Sequence, residues 1–234
     1  MFLLSVVEDK LKTVPDQFDR TPTDVLIEQI ELKYANKVLL NVGLCISFYD
    51  FVEIGDPYLY PGEGCSIQQV KFRLIVFRPF VGEILTGKIS SSNKDGVKLS
   101  LEFFDDVLVP SSLLQSPSTF NAATGLWTWK YGEDQDSEFV MDVGEEVRFR
   151  VRTIHFTGLT MTAKGVTATT TSESQEMPTI KTEKKNGKQG DEVPQATVRR
   201  RSSSIGLSSE DEVPAAMQVI GCMNDFGLGL IGWW

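Results

Sequence analysis

Apolar residues recur at helical spacing just after Pro22. Leu26, Ile27, Ile30 and Tyr34 fall on one face, with Glu28, Glu31 and Lys33 as polar positions of the same turns. Thr21-Pro22-Thr23-Asp24 opens the stretch. Thr21 suits the cap, Pro22 the first helical position and Asp24 the acidic end of a capping box. The pattern predicts a helix over about 22–35. On either side the period changes. Phe2–Leu11 reads as a strand, and Val38–Phe51 and Val70–Phe80 read as long strands with nearly continuous apolar centres. Such strands are ordinarily covered on both faces, and a helix laid across three strands covers one of them.

Beyond residue 80 the period is two. Leu99, Leu101 and Phe103 share one face of their stretch, and Val147, Phe149 and Val151 share a face of theirs. Turn signals at Asn93-Lys94-Asp95-Gly96, Ala123-Thr124-Gly125 and Val143-Gly144-Glu145 separate the strands. The count fits a five-stranded OB barrel built from about 82–91, 96–104, 126–131, 145–155 and 216–223. Residues 169–214 break the pattern. They contain no aromatic residue and are rich in Ser, Thr, Glu, Lys and Gly, so too little apolar surface is available to offset chain entropy. They are expected to be a disordered insertion before the last strand, which costs little in closure entropy. The predicted fold class is therefore an α+β N-terminal domain over 1–80, an antiparallel sheet with one main helix, followed by an all-β OB-fold domain over 81–234 that carries the insertion.

Composition narrows the function. The chain has 234 residues, 41% of them hydrophobic and 10% aromatic, enough for real cores. The longest apolar run, Val38–Tyr49, is interrupted by Asn41 and Ser47 and is shorter than the roughly 18 residues a membrane span needs. Met1–Val7 has no basic leader and runs into Glu8 and Asp9, so no signal peptide and an intracellular location are expected. Cys45, Cys65 and Cys222 are odd in number and widely spaced, which argues against a disulfide framework or a zinc knuckle. Net charge is −9, from 23 basic and 32 acidic residues. That is the wrong sign for autonomous binding to duplex nucleic acid, which rests on phosphate neutralisation. It suits docking against basic partners.

Catalytic signals are weak. The one histidine, His155, lies in a strand. Gly62-Glu63-Gly64-Cys65-Ser66 lacks the lysine of a phosphate loop. Asp105-Asp106 and Glu145-Glu146 are adjacent pairs that point apart in a strand and read as solvated turns. Glu133, Asp134, Asp136 and Glu138 form an acidic loop without calcium-loop spacing. No catalytic residue, cofactor or metal site is expected, and no membrane contact.

Binding signals are stronger. Pro57, Tyr58, Leu59, Tyr60, Pro61, Gly62 and Gly64 make a shaped loop, read either as a tight turn over a sheet edge or as a docking tip. Arg148, Arg150 and Arg152 alternate along one strand, with Lys88 and Lys98 on the polar sides of theirs. Trp127 and Trp129 share a face. A basic groove with stacking aromatics is what single-stranded RNA requires, although the tryptophans could equally be core and the arginines a solvated face. Arg199-Arg200-Arg201 precedes Ser202 and Ser203, and Ser208 and Ser209 precede Glu210-Asp211-Glu212. These resemble basophilic and acidophilic kinase targets. Trp233 and Trp234 end the chain, to pack on the barrel or to fill a partner groove.

Several stretches together resemble a known family, the larger stalk subunit of multisubunit RNA polymerases. They are Val38-Leu39-Leu40-Asn41-Val42-Gly43-Leu44-Cys45-Ile46, the loop Asp56–Gly64, Phe72–Phe80 and Gly82-Glu83-Ile84-Leu85-Thr86-Gly87-Lys88-Ile89. Ser100-Leu101-Glu102-Phe103-Phe104-Asp105-Asp106, the hydrophilic insertion and the Gly227-Leu228-Gly229-Leu230…Trp233-Trp234 ending are most similar to the polymerase III branch. The resemblance implies an RNP-like N-terminal domain and an S-one-type OB domain. It implies a nuclear, non-catalytic subunit paired with a small helical subunit. The loop at 56–64 would meet the polymerase core, including its largest subunit, the barrel would lie near single-stranded transcript, and the stalk would act in initiation. The alternatives are a stalk subunit of polymerase II, I or a plant-specific enzyme, and a free single-stranded RNA-binding OB protein.

Overall fold

A computed structural model describes residues 1–59, 61–131, 137–162, 165–174, 203–207 and 215–233. The chain divides into two compact units, Met1–Phe80 and Val81–Trp234.

In the first unit the elements run β1 (Phe2–Thr13), a 3-10 turn (Pro15–Gln17), α1 (Pro22–Tyr34), β2 (Val38–Leu39), β3 (Gly43–Ile54), β4 (Tyr58–Leu59) and β5 (Ser66–Phe77). The sheet order is β1-β5-β3-β2, with β4 added to β5, and every pairing is antiparallel. Leu26 and Ile30 of α1 bury against Leu11, Cys45, Val70, Phe72 and Leu74. Pro22 occupies the first turn as its missing N–H allows. The expected capping box does not form. The Thr21 hydroxyl donates to the Asp24 carboxylate instead of either side chain capping the backbone.

Val38–Phe51 is not one strand. Asn41 turns left-handed at φ 60°, the Val42 N–H bonds the Leu39 carbonyl at 3.0 Å, and β2 folds back on β3 as a short hairpin. Asparagine tolerates that region where most residues do not. The long strands are also not covered on both faces. Phe2, Leu4 and Val6 of β1 lie opposite Phe77, Ile75 and Arg73 and are themselves exposed. Three bulges bend β3 against β5 and leave Tyr49 and Val52 exposed as extra residues.

The second unit opens with β6 (Ile84–Asn93), β7 (Gly96–Ser100) and β8 (Val107–Pro110), followed by β9 (Ser118–Asn121), β10 (Leu126–Tyr131) and β11 (Ser137–Met141). Then come β12 (Glu146–Thr162), β13 (Gly165–Ser174), β14 (Ser203–Leu207), β15 (Met217–Cys222) and β16 (Gly229–Leu230). A barrel closes through β6-β7-β8-β15-β12 and back to β6. All its pairings are antiparallel except β8 with β15, where Val107 and Leu108 face Val219 and Ile220. One parallel contact within a closed five-stranded barrel is the topology of an OB fold. Phe149, Phe156, Ile89, Leu99, Ile154 and Met217 fill its interior.

The third barrel strand is β8, not 126–131. Val107 and Val109 are fully buried, but four residues between acidic and serine pairs are too short to show a period. Residues 126–131 form β10, the middle of a separate sheet, β11-β10-β9. β7 ends at Ser100. Glu102 turns at φ 69°, so Phe103 points out and Phe104 takes the buried place. The stretch expected to lack structure differs at two points. Residues 169–174 continue β13 along β12, and Ser203–Leu207 pair with β13. The remainder of 175–214 lies outside the described residues.

Candidate macromolecule-binding surfaces

The loop of the first unit is held by backbone pairing. Tyr58 and Leu59 lie opposite Ile67 and Ser66, which fixes both residues against β5. Their side chains nonetheless stand 61% and 62% exposed. Pro57, Pro61, Gly62 and Gly64 are exposed around them, and Tyr60 lies outside the described residues. Gly62 and Gly64 turn the chain at φ 92° and 66°, a region closed to most side chains. At the foot of the loop Lys12 donates to Glu63 at 2.6 Å. That hydrogen bond holds the Glu63 carboxyl below its ordinary value and raises the Lys12 ammonium. A cavity of about 430 Å³ beside the loop is lined by Phe18, Val25 and Pro57 among others. A short strand held by a single neighbour while its apolar side chains face solvent is suited to docking.

The second unit carries its cations on the outside of the barrel. Arg148 faces Thr86 and Arg150 faces Ile84 across β6, so both arginines project from the outer side of β12. Arg152 is the extra residue of a bulge between Val151 and Thr153, which keeps Ile154 and Phe156 inside. Lys88 and Lys98 are exposed on β6 and β7. Lys88 pairs with Glu102 at 3.3 Å, and Arg150 with Asp225. Among the described residues Lys98, Arg148 and Arg152 have no carboxylate within ion-pair distance.

Trp127 and Trp129 are withdrawn from the expected stacking platform. Each is 7% exposed. The Trp127 indole N–H donates to the Asn93 carbonyl at 2.9 Å, and its ring packs on Phe120. Trp129 packs on Phe139, Tyr131 and Trp233, with the Trp233 ring centroid at 4.8 Å. Trp233 therefore packs within its own unit, and Trp234 lies outside the described residues. Gly229, at φ 105°, makes this possible, since a Cβ there would lie 2.6 Å from the Trp233 ring.

The other candidates are accounted for locally. Cys45, Cys65 and Cys222 are free and buried, and burial raises the Cys45 thiol. Burial lowers His155. Asp105 accepts from the Ser100 hydroxyl at 2.5 Å, and a Glu145 oxygen accepts from the Asp142 N–H at 3.2 Å. Glu138 pairs with Lys130 at 3.1 Å. Glu133, Asp134, Asp136, Ser202, Ser208 and Ser209 lie outside the described residues. Ser203 opens β14 opposite Thr170. Among the described residues no group of three or more His, Cys, Asp or Glu could hold a metal ion. Phe226, which sequence reasoning passed over, is the most exposed large hydrophobic residue described, at 89%.

Residues 83–234 match the family model described as RNA polymerase III subunit Rpc25. Residues 8–64 match the SHS2 domain found in the N terminus of Rpb7p, Rpc25p and MJ0397. The chain is 36% identical, over 100% of its length and 98% of the relative's, to DNA-directed RNA polymerase III subunit RPC8 of Bos taurus. It is 40% identical to the Schizosaccharomyces pombe rpc8 subunit over 75% of this chain and 89% of that one. The likeness to RNA polymerase II subunit RPB7 of Saccharomyces cerevisiae is lower, 28% over 54% of this chain and 69% of the relative.

Proposed function

Because the chain belongs to the family of RNA polymerase III subunit Rpc25, we propose that it is a non-catalytic subunit of nuclear RNA polymerase III. In this reading it forms the stalk with a small helical subunit and acts in transcription initiation. The first unit docks on the polymerase core, including its largest subunit, through Pro57, Tyr58, Leu59, Tyr60, Pro61, Gly62 and Gly64. The second unit meets single-stranded transcript through Lys88, Lys98, Arg148, Arg150 and Arg152. Ser202, Ser203, Ser208 and Ser209 are the proposed phosphorylation sites.

The observation that carries this reading is the exposed Tyr58–Leu59 pair on a strand held in place by β5. Buried, two such side chains would supply several kcal/mol, about 1.5–3 for each large apolar group. A net charge of −9 supports docking within a larger assembly over autonomous RNA binding. The weaker and shorter likeness to the polymerase II subunit favours polymerase III over polymerase II. The test is affinity purification of the tagged full chain from nuclear extract, with mass spectrometry of the co-purifying proteins. Stoichiometric recovery of the polymerase III largest subunit is expected. Recovery of the polymerase I or II largest subunit instead, or of none, overturns the reading.

A further inference from the structure

The loop between β15 and β16 leaves and rejoins β12 at two arginines. Cys222, at the end of β15, lies opposite Arg150, and Gly229, at the start of β16, lies opposite Arg148. The six residues between them are held tightly. Gln115, only 8% exposed, donates its side-chain amide to the carbonyls of Asp225 at 3.0 Å and Leu228 at 3.1 Å. The Met223 N–H bonds the Leu113 carbonyl at 2.7 Å, the Cys222 thiol donates to Asn224 at 2.7 Å, and Leu228 is buried. A buried amide that satisfies both ends of a turn fixes its shape. That turn presents Phe226 at 89% exposure. Its acidic neighbour, Asp225, is neutralised by Arg150, and Arg148 and Arg152 are exposed on the adjoining strand.

We propose that Phe226 is the aromatic on which a base of single-stranded RNA stacks, with Arg148 and Arg152 holding the flanking phosphates. This rests on the reading that the second unit contacts transcript, and it gives that contact the stacking residue that buried Trp127 and Trp129 do not supply. An aromatic on a fixed turn near cations is the pairing that single-strand recognition uses, because every base offers a π-face. The cations favour a phosphodiester chain over a purely apolar protein partner.

The test is fluorescence anisotropy of the full chain with a short fluorescein-labelled oligouridine at low salt. Phe226→Ala weakens binding about tenfold, while the salt dependence stays that of the parent chain. Phe226→Tyr restores binding. On an oligomer with abasic sugars the parent and Phe226→Ala chains bind alike. Arg148→Ala weakens binding and lowers the salt slope by about one. If the parent chain binds and Phe226→Ala binds as well, the stacking role is overturned while RNA contact stands. If the parent chain does not bind alone, as its net charge of −9 allows, the comparison is repeated in the assembled polymerase, where failure of nascent RNA to crosslink to position 148 makes RNA contact and the stacking role fall together. Normal RNA binding by Phe226→Ala with loss of polymerase association reassigns the ring to protein docking and overturns the proposal.

Discussion

Tyr58 and Leu59 in the first unit stand more than half exposed on a strand fixed by β5, whereas Trp127 and Trp129 in the second are 7% exposed. Each pair combines large apolar groups with turn-rich flanks. The difference lies in what surrounds them. A two-residue strand at the sheet margin, followed by glycines in left-handed conformations, leaves its side chains more than half exposed. A strand in the middle of a three-stranded sheet has neighbours on both sides, and Phe120, Phe139 and Trp233 close over it. An aromatic run is therefore packed away when its strand is central and left at the surface when its strand is marginal.

The sharpest way to break this contrast is to truncate both pairs. Trp129→Ala is expected to cost about 3–5 kcal/mol, the usual loss for a buried large aromatic, read as a lowered melting transition of the second unit. Tyr58→Ala with Leu59→Ala is expected to change stability by less than about 0.5 kcal/mol while weakening polymerase association by about 2 kcal/mol or more. Equal melting shifts would dissolve the distinction.

Gly229→Ala sharpens the second half of the comparison. The new methyl meets the Trp233 ring in a backbone region L residues avoid, and a loss of about 1–3 kcal/mol is expected. The aromatic cluster should loosen with it, seen as a red shift of tryptophan emission. An unchanged spectrum and melt would show that Trp233 does not depend on that glycine.

The smallest effect belongs to the first unit. Burial pushes the Asp9 carboxyl up, but hydrogen bonds from Lys33 and Tyr34 outweigh it and hold the group below its ordinary value. The folded state therefore prefers the ionised form. This contribution, under about 1 kcal/mol for so accessible a pair, is complete above the unfolded pKa of about 3.9. It is lost as pH falls through the lower folded value. Asp9→Asn should remove that part of the acid destabilisation between parent and variant. A parallel pair of pH profiles would contradict it.

Much of this architecture was legible in the residues, for identifiable reasons. Pro22 and the Leu26–Ile30–Tyr34 spacing marked α1 because a thirteen-residue helix gives its period room to show. Val147, Phe149 and Val151 marked β12 through their alternation. β8 was not legible, because four residues cannot establish a period, and its parallel partner β15 lies more than a hundred residues away. The arginine face could be seen because alternation survives as far as the bulge at Arg152. Phe226 could not. It stands in an Asn-Asp-Phe-Gly turn with no periodic neighbours, and its exposure depends on Gln115, far away in the chain.

In the proposed reading the two units grip different things, protein through the tip and RNA through the barrel. Photo-crosslinking within the assembled enzyme tests it most directly, with the reactive residue placed at Leu59 in one chain and at Arg148 in another. Attachment to a polymerase core subunit is expected from position 59, and to nascent RNA from position 148. RNA captured from position 59, or only core protein from position 148, would contradict it.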